Sequence, residues 1–229
     1  MPFEVGSTFI ANSGDVVKIV HYYSSREVLV RFVETYYETL TNSANLLAGK
    51  VKDYTKPTVY GVGVLGESYK SYRCKKSYNT WVSMLQRCYS EVWHKRQPTY
   101  LDCEVCEEWQ DYPKFKEWFD INYKEGCELD KDLSGKKIYS PDNCIFIPKQ
   151  LNRHLATLKS KGYSFHSQSG KYRCNTPPRR LFSSPDCAAK EWKNFKKAET
   201  VKLAEELLLT NKIDSNTYSL LIKMEIGYV

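Results

Sequence analysis

The first 66 residues alternate between apolar and polar positions in the way that is typical of β-strands. Short segments rich in Val, Ile, Phe and Tyr are separated by turn-forming Ser, Gly, Asn and Asp residues. The alternation is clearest at Val28, Val30 and Phe32, which are predicted to share one face of a strand. The pattern predicts a small β-barrel or curled sheet over 1–66, which we interpret as an accessory module. The Pro and Gly residues of 52–68 predict a connector.

Helical periodicity follows this connector. An apolar stripe at i, i+3, i+4 and i+7 predicts an amphipathic helix and consists of Trp81, Met84, Leu85 and Cys88. An aromatic stripe at this spacing is more often core than ligand platform, so we interpret it as core. The aromatic residues that are predicted to join the same core are Trp109, Phe115, Trp118 and Phe119. A basic fringe, interpreted either as a solvated face or as a phosphate-contacting edge, comprises Arg73, Lys75, Lys76, Lys95 and Arg96.

The stretch from Glu128 to His154 predicts a β-hairpin with a helix laid across it. The predicted elements are a strand over 127–129 that ends at Asp130, a turn over 134–137, a strand over 143–147 and a helix after Pro148. This geometry can bring Asp130 close to Asn152 on the helix. A carboxylate and an amide oxygen are hard ligands suited to Mg²⁺ or another divalent cation, so the stretch is a candidate site for phosphodiester chemistry.

The last third of the chain combines strand and helix patterns with a concentration of positive charge. Three short strands separated by Ser-Gly and Pro-Pro turns are predicted over 161–184, followed by a long helix from about residue 185 to residue 210. Between Lys161 and Lys202 there are ten Lys or Arg and three Asp or Glu, a net charge of +7 that equals that of the whole chain. Strand alternation predicts one face with Lys171, Arg173 and Asn175 and another with Tyr172 and Cys174.

Composition narrows the class of protein. The chain has 229 residues, of which 41% are hydrophobic and 14% aromatic, values typical of a globular protein. Its net charge of +7 and its isoelectric point near 8.8 favour a polyanionic partner. The sequence has no apolar run near the roughly 20 residues of a membrane span and no signal-peptide pattern, so we expect a cytoplasmic protein. A P-loop, a Ser-His-Asp order and a dinucleotide fingerprint are also missing from the sequence.

Eight cysteines leave two interpretations open. Cys103 and Cys106 form a CxxC motif, and together with Cys127 and Cys144 they are a candidate zinc site. The remaining cysteines lack a second CxxC or a CxxH motif. In the alternative interpretation, the cysteines are small buried hydrophobic residues in a reducing cytosol.

The order and spacing of Asp130, Lys131, Asn143 and Asn152 resemble those of the HNH (ββα-metal or His-Me finger) nucleases, in particular the bacteriophage homing endonucleases. The resemblance implies that Asp130 and Asn152 are metal ligands and that Asn143 braces the loop. At position 131 the family has a His as general base, whereas the Lys of this chain has a usual pKa of about 10.4 and stays protonated. Three sources of the missing general base remain open. Lys131 could have a strongly lowered pKa, His154 could supply the base, or a metal-bound hydroxide could act alone. Otherwise Asp130 and Asn143 are only turn and loop residues.

The last third resembles the APETALA2-type DNA-binding domain, in which a three-stranded sheet lies in the major groove and a helix packs behind it. The residues that support this resemblance are Gly162, Tyr163, Gly170, Lys171, Tyr172, Arg173, Leu181, Phe182, Ala188, Ala189 and Trp192. Arg can bind guanine through two hydrogen bonds, and Asn can bind adenine. The candidate base contacts are therefore Lys171, Arg173, Asn175, Arg179 and Arg180, and His166 is a candidate phosphate contact.

We therefore expect an α+β protein with a small β-barrel-like module at 1–66, an HNH-like domain at 69–158 and an APETALA2-like domain with C-terminal helices at 161–229. The expected function is sequence-specific binding of double-stranded DNA by a transcriptional repressor. It would descend from a homing endonuclease of a phage or phage satellite, with lost or impaired nuclease activity, and act in the bacterial host cell. An active Mg²⁺-dependent endonuclease is the alternative, and an RNA-binding protein is a third hypothesis. Apolar helical patterns around 207–209 and 220–222 predict a cap over the last domain or a homodimer contact.

Overall fold

The structure is a computed structural model with a mixed α+β fold, as predicted, and it describes residues 3–66, 75–131, 133 and 135–226. The chain divides into two compact units, 1–120 and 121–229. This grouping differs from the three predicted domains, because it places the helical residues before 121 with the N-terminal sheet. Three residues with predicted roles lie outside the described part of the chain, namely Arg73, Cys74 and Ser134. In the described residues, no helix has the length and apolar character needed to cross a membrane.

The first unit begins with four antiparallel strands that pair in chain order. They are β1 (Thr8–Ile10), β2 (Val16–Ser24), β3 (Glu27–Phe32) and β4 (Glu38–Thr41), and the helix α1 (Ser43–Leu47) follows. The predicted apolar face is confirmed, because Val28, Val30 and Phe32 are buried. The predicted barrel does not close: in the described residues β1 pairs only with β2, and β4 only with β3. After β4 the chain enters α1, where the Asn42 side chain caps the first turn, so this segment adds no closing strand.

Helices make up most of the remainder of this unit. The elements up to residue 122 are β5 (Pro57–Val59), β6 (Gly63–Val64), α2 (Lys75–Tyr89), α3 (Glu91–Arg96), a 3-10 turn (Pro98–Tyr100), β7 (Glu104–Val105), α4 (Glu107–Gln110) and α5 (Tyr112–Asn122). β5 and β6 form a short hairpin inside the predicted connector. The predicted apolar stripe of α2 is confirmed by the burial of Trp81, Met84, Leu85 and Cys88. The aromatic core is confirmed by the burial of Trp109, Phe115 and Phe119, and Trp118 contacts Trp109.

The second unit contains a hairpin with a crossing helix and a three-stranded sheet with a long helix. Its elements are β8 (Cys127–Asp130), β9 (Ile138–Tyr139), β10 (Ile145–Pro148), α6 (Lys149–Thr157), β11 (Tyr163–His166), β12 (Lys171–Cys174), β13 (Leu181–Phe182), α7 (Pro185–Leu209) and α8 (Ser215–Lys223). The hairpin pairs β8 with β10 in antiparallel register, and α6 starts directly after Pro148, as predicted. β10 begins two residues later than predicted, because the backbone N–H groups of Asn143 and Cys144 both donate to the Ser140 carbonyl in a turn.

The apolar residues of α6, α7 and α8 form one hydrophobic core. Its buried members are Ile147, Leu151, Leu155, Leu158, Ala204, Leu207, Ile213 and Leu221. Leu207 and Leu221 thus pack with the apolar residues of α6, in the predicted HNH-like domain, and not only over the last domain as the predicted cap would, whereas Leu209 and Leu220 remain exposed. The hairpin helix and the C-terminal helices, which we predicted in separate domains, therefore share a core.

The N-terminal half of α7 packs against the three-stranded sheet. The helix starts where predicted, because the Ser184 hydroxyl accepts a hydrogen bond from the Cys187 backbone N–H and Pro185 occupies the first turn. Gly162, with a φ of +72°, lies so close to Trp192 that a Cβ added there would be 2.1 Å from the indole ring. The sheet and the helix therefore approach each other at a position where only glycine fits.

Gly162→Ala is expected to destabilise the second unit, because its methyl group collides with Trp192 and its φ disfavours L side chains. Gly170→Ala is the matched control, since Gly170 has a similar φ of +66° but no atom of the described residues within 4 Å of an added Cβ. Backbone strain alone should cost about 1–2 kcal/mol in Gly170→Ala. Gly162→Ala should lose about 1–3 kcal/mol more through overpacking, measured by urea unfolding. Equal losses would contradict the close packing on Trp192.

Candidate nucleic-acid interface and metal site

The C-terminal sheet has two faces that differ in polarity. Its strands are antiparallel in the order β11-β12-β13, and residues directly opposite each other in neighbouring strands lie on the same face. Phe165, Tyr172 and Phe182 are aligned across one face by this register. Buried Cys174 lies two residues after Tyr172 and therefore belongs to the same face. The buried part of this face packs against α7.

The opposite face is polar and positively charged. Arg173 lies opposite both Ser164 and Leu181, and His166 lies opposite Lys171. Asn175 continues the alternation, and its side-chain oxygen accepts a hydrogen bond from the Ser164 hydroxyl at 3.4 Å. We name this surface the basic face, which consists of Ser164, His166, Lys171, Arg173, Asn175 and Leu181. The predicted separation of Lys171 and Arg173 from Tyr172 and Cys174 is thereby confirmed.

The two arginines before β13 have different surroundings. Arg180 donates from its guanidinium to the Glu191 carboxylate on α7 at 3.1 Å, so it is directed toward the helix. We predicted Arg180 as a base contact together with Arg179, but this ion pair orients Arg180 differently. Arg179 is exposed. His166, the candidate phosphate contact, is the last residue of β11, and its Nδ1 is 2.9 Å from the Ser169 hydroxyl in the following turn.

Asp130 is buried at the end of β8, where the sequence places it, with 7% of its surface exposed. Its Oδ1 accepts a hydrogen bond from the backbone N–H of Leu133 at 3.1 Å. This bond closes a local turn, which is the structural role that we considered as the alternative to metal binding. An ionised carboxylate has about four acceptor sites, so this one hydrogen bond does not by itself exclude a cation.

Asn152 contacts Glu128, a residue that the sequence analysis did not select. The Asn152 side-chain amide donates to the Glu128 carboxylate at 2.7 Å, which joins α6 to β8. Glu128 and Asp130 are two residues apart in a strand and so share the face that α6 covers. The two-residue spacing between Glu128 and Asp130 in the predicted strand is the sequence signal that could have identified Glu128. Two carboxylates and one amide therefore lie on one face of the hairpin, and they are the residues that could bind a divalent cation.

Lys131 stands where the resemblance to HNH nucleases implies a histidine, and it is nearly buried, with 8% of its surface exposed. Its ammonium lies 5.5 Å from the centroid of the Tyr139 ring, within the range of a cation–π interaction. Such a contact stabilises the protonated form of the amine. This contact favours the ammonium form of Lys131, which cannot act as a general base, whereas burial of the side chain opposes the charge.

Asn143 braces the loop that connects the two strands of the hairpin. Its side-chain amide donates to the Ser140 hydroxyl at 2.9 Å, and its backbone N–H donates to the Ser140 carbonyl at 3.2 Å. Both bonds are local. They agree with the bracing role implied by the resemblance and equally with a purely structural loop residue.

His154 is directed toward α7. Its Nε2 is 2.8 Å from the Thr200 hydroxyl, and that hydroxyl donates its proton to the Lys196 carbonyl. Because Thr200 has a single hydroxyl proton, His154 Nε2–H is the donor in their bond. His154 and Asn152 are about 200° apart around α6, so the structure does not bring His154 to the face with Asp130. Burial and the nearby Lys196 charge lower the pKa of His154, which favours its neutral form.

The cysteines give no sign of a zinc site. Within the described residues, no group of three or more His, Cys, Asp or Glu side chains is arranged to bind a metal ion. The buried thiols are Cys88, Cys103, Cys127, Cys144 and Cys174, whereas Cys106 is partly exposed and Cys187 exposed. Burial raises the pKa of Cys106 and of Cys127. The burial of five described cysteines agrees with their interpretation as small hydrophobic residues.

The basic fringe of the first unit is a surface feature. Lys75, Lys76, Lys95 and Arg96 are exposed. They occupy the start of α2 and the end of α3. Exposure alone fits both of the interpretations that the sequence left open, a solvated face and a phosphate-contacting edge.

The stability of the second unit should fall as pH drops below neutrality, through His154. The pKa of this side chain is lowered from 6.5 in the folded state, so the unfolded chain binds more protons below about pH 7. The contribution of His154 to the free energy of unfolding is fully present above the pKa that this side chain has in the unfolded chain. It is lost as the pH falls through the lower pKa that the side chain has in the folded protein. His154→Gln keeps a donor for Thr200 and should flatten this dependence in urea unfolding between pH 7.5 and 5. An unchanged pH dependence in His154→Gln would refute the assignment.

No model of a known protein family matches this chain, and no curated protein or solved structure is significantly similar to it. The resemblances to HNH nucleases and to APETALA2-type domains therefore remain expectations from the sequence. The function is inferred from the residues and contacts described above.

Proposed function

We propose that this protein binds double-stranded DNA in a sequence-specific manner through the basic face of β11, β12 and β13. The observation that supports this most strongly is the position of Arg173. It lies on the central strand, on the face opposite to the one that packs on α7. Its guanidinium is thus attached to a rigid element, which suits the recognition of a base edge better than a flexible loop would.

Charge supports a polyanionic partner at this surface. The segment from residue 161 to residue 202 has a net charge of +7, and the strands β11, β12 and β13 contain no acidic residue. Glu191 lies on α7 behind the sheet, where it pairs with Arg180. The basic face therefore offers cations without nearby carboxylates on its own strands, as phosphate binding requires.

The geometry supports recognition of bases as well as of phosphates. B-DNA has a major groove about 12 Å wide, which admits strands. Arg173 and Asn175 project from the same face of β12 and its continuation, and they match guanine and adenine edges respectively. Lys171 is exposed beside them and suits a phosphate or a guanine. Arg179 is a further candidate for a base contact, whereas Arg180 could contact a base only after its ion pair with Glu191 breaks.

The hairpin supports binding without efficient cleavage. Lys131 lies against the Tyr139 ring, and His154 donates to Thr200 on the other flank of α6. Neither arrangement supplies a general base beside Asp130. The proposal is therefore a DNA-binding protein that descends from a phage homing endonuclease of the HNH type and represses transcription by occupying an operator.

An active divalent-metal-dependent endonuclease is the second candidate. It is favoured by the ββα order of β8, β10 and α6 and by the shared face of Glu128, Asp130 and Asn152. These oxygen-containing side chains would hold Mg²⁺, which can lower the pKa of a bound water and so supply a hydroxide nucleophile. Asp130 is the residue on which this candidate depends most.

Arg173→Ala should weaken binding to the preferred duplex by about 1–3 kcal/mol and relax the preference at one base pair. The loss follows from removing a two-pronged guanine contact. Lys212→Ala, which removes one exposed positive charge just after α7, is the matched control and should change affinity only slightly. The measurement is fluorescence anisotropy with a duplex selected from a random library and with a scrambled duplex. Equal losses on both duplexes would contradict base recognition, and tighter binding to structured RNA would favour the RNA hypothesis.

A cleavage assay separates the two candidates. With supercoiled DNA and Mg²⁺ or Mn²⁺, we expect the wild type to bind without nicking, because neither Lys131 on the Tyr139 ring nor His154 on Thr200 is placed to act as a general base beside Asp130. Lys131→His restores the base and should produce nicking that disappears in the double variant with Asp130→Ala. Nicking by the wild type that is lost in Asp130→Ala would instead establish the endonuclease.

A further inference from the structure

Leu181 is an apolar side chain on an otherwise polar surface. It lies directly opposite Arg173 in the register of β12 and β13, and 42% of its surface is exposed. Its neighbours on the basic face are polar or charged, and its successor Phe182 belongs to the face toward α7. Leu181 therefore does not contribute to the buried core.

An exposed leucine by itself is common on protein surfaces and needs no explanation. The position of Leu181 distinguishes it, because it is paired across the strands with the arginine that best fits a guanine edge. Directly paired residues have Cβ atoms about 4.5–5.5 Å apart. Successive base pairs are separated by about 3.4 Å along the helix axis. Side chains of a cross-strand pair therefore reach the same base pair or adjacent ones.

The major groove presents an apolar group in the C5-methyl of thymine, and apolar side chains contact it. We propose that Leu181 recognises a thymine methyl group next to the guanine that Arg173 contacts. This specificity rests on the proposed DNA binding and adds to it a defined feature of the target. The preferred site then contains a thymine within about one base pair of that guanine, on either strand.

The expected effect is small but measurable. Burying one methyl or methylene group contributes about 0.8 kcal/mol, which corresponds to roughly a four-fold change in affinity. Deoxyuridine has the hydrogen-bonding groups of thymine and lacks the methyl, so replacing thymine by deoxyuridine tests this contact alone. The base replacements are first tested with the wild-type protein, so this part of the test does not depend on whether a variant folds.

The experiment begins with a duplex selected by the wild type from a random library. Each thymine is replaced in turn by deoxyuridine, and each guanine by 7-deazaguanine, which lacks the N7 acceptor. We expect one thymine whose replacement weakens binding about four-fold, located within one base pair of the guanine that is sensitive in the wild type and insensitive in Arg173→Ala. Leu181→Ala should bind the thymine and deoxyuridine duplexes equally.

Leu209→Ala is the matched control, since Leu209 is 83% exposed at the end of α7 and lies outside the basic face. It should retain the four-fold preference for thymine. Equal binding of all deoxyuridine duplexes by the wild type would overturn the inference while leaving DNA binding intact, as would a preference that survives in Leu181→Ala. A selected site without a thymine beside the guanine would overturn it too. Failure to select any duplex would overturn the proposed function itself.

Discussion

Burial of the apolar stripe of α6 is the interaction on which the second unit depends. Leu151, Leu155 and Leu158 recur at helical spacing and pack against α7 and α8. Because successive residues of a helix are about 100° apart, this burial places Asn152 and His154 on opposite flanks of the stripe. Asn152 then bonds to Glu128 and His154 to Thr200. The packing that directs the candidate metal ligand to the hairpin thus directs the histidine away from it.

α7 connects this core with the C-terminal sheet. Its first turns pack on the sheet through Trp192, and its last turns pack on α6 through Ala204 and Leu207. Lys197, between these regions, donates to the carbonyls of Ile222 and Met224 and so caps the end of α8. One helix therefore supports both candidate sites, and the basic face is the surface of the sheet that this helix leaves open.

The two candidate sites differ in how completely they are formed. The basic face has its cations in register on a sheet, and Glu191 on α7 is paired with Arg180. The hairpin has candidate oxygen ligands, but position 131 is a lysine whose ammonium lies over the Tyr139 ring. Binding requires only complementary charge and shape, whereas cleavage also requires a proton acceptor at the reacting water. This difference is the physical reason why we propose binding rather than cleavage.

Sequence alone determined the features that depend on neighbours along the chain. The period of two assigned Arg173 and Tyr172 to opposite faces, and the helical period predicted the buried stripe of α2. The helix predicted from about residue 185 begins where α7 begins in the structure. Tertiary structure decided which distant segments are joined, through the hydrogen bond between Asn152 and Glu128 and the ion pair between Arg180 and Glu191. It also decided that the described strands of the N-terminal sheet do not close into a barrel. Local patterns specify which way a side chain points, but its partner depends on packing between elements, which no local pattern encodes.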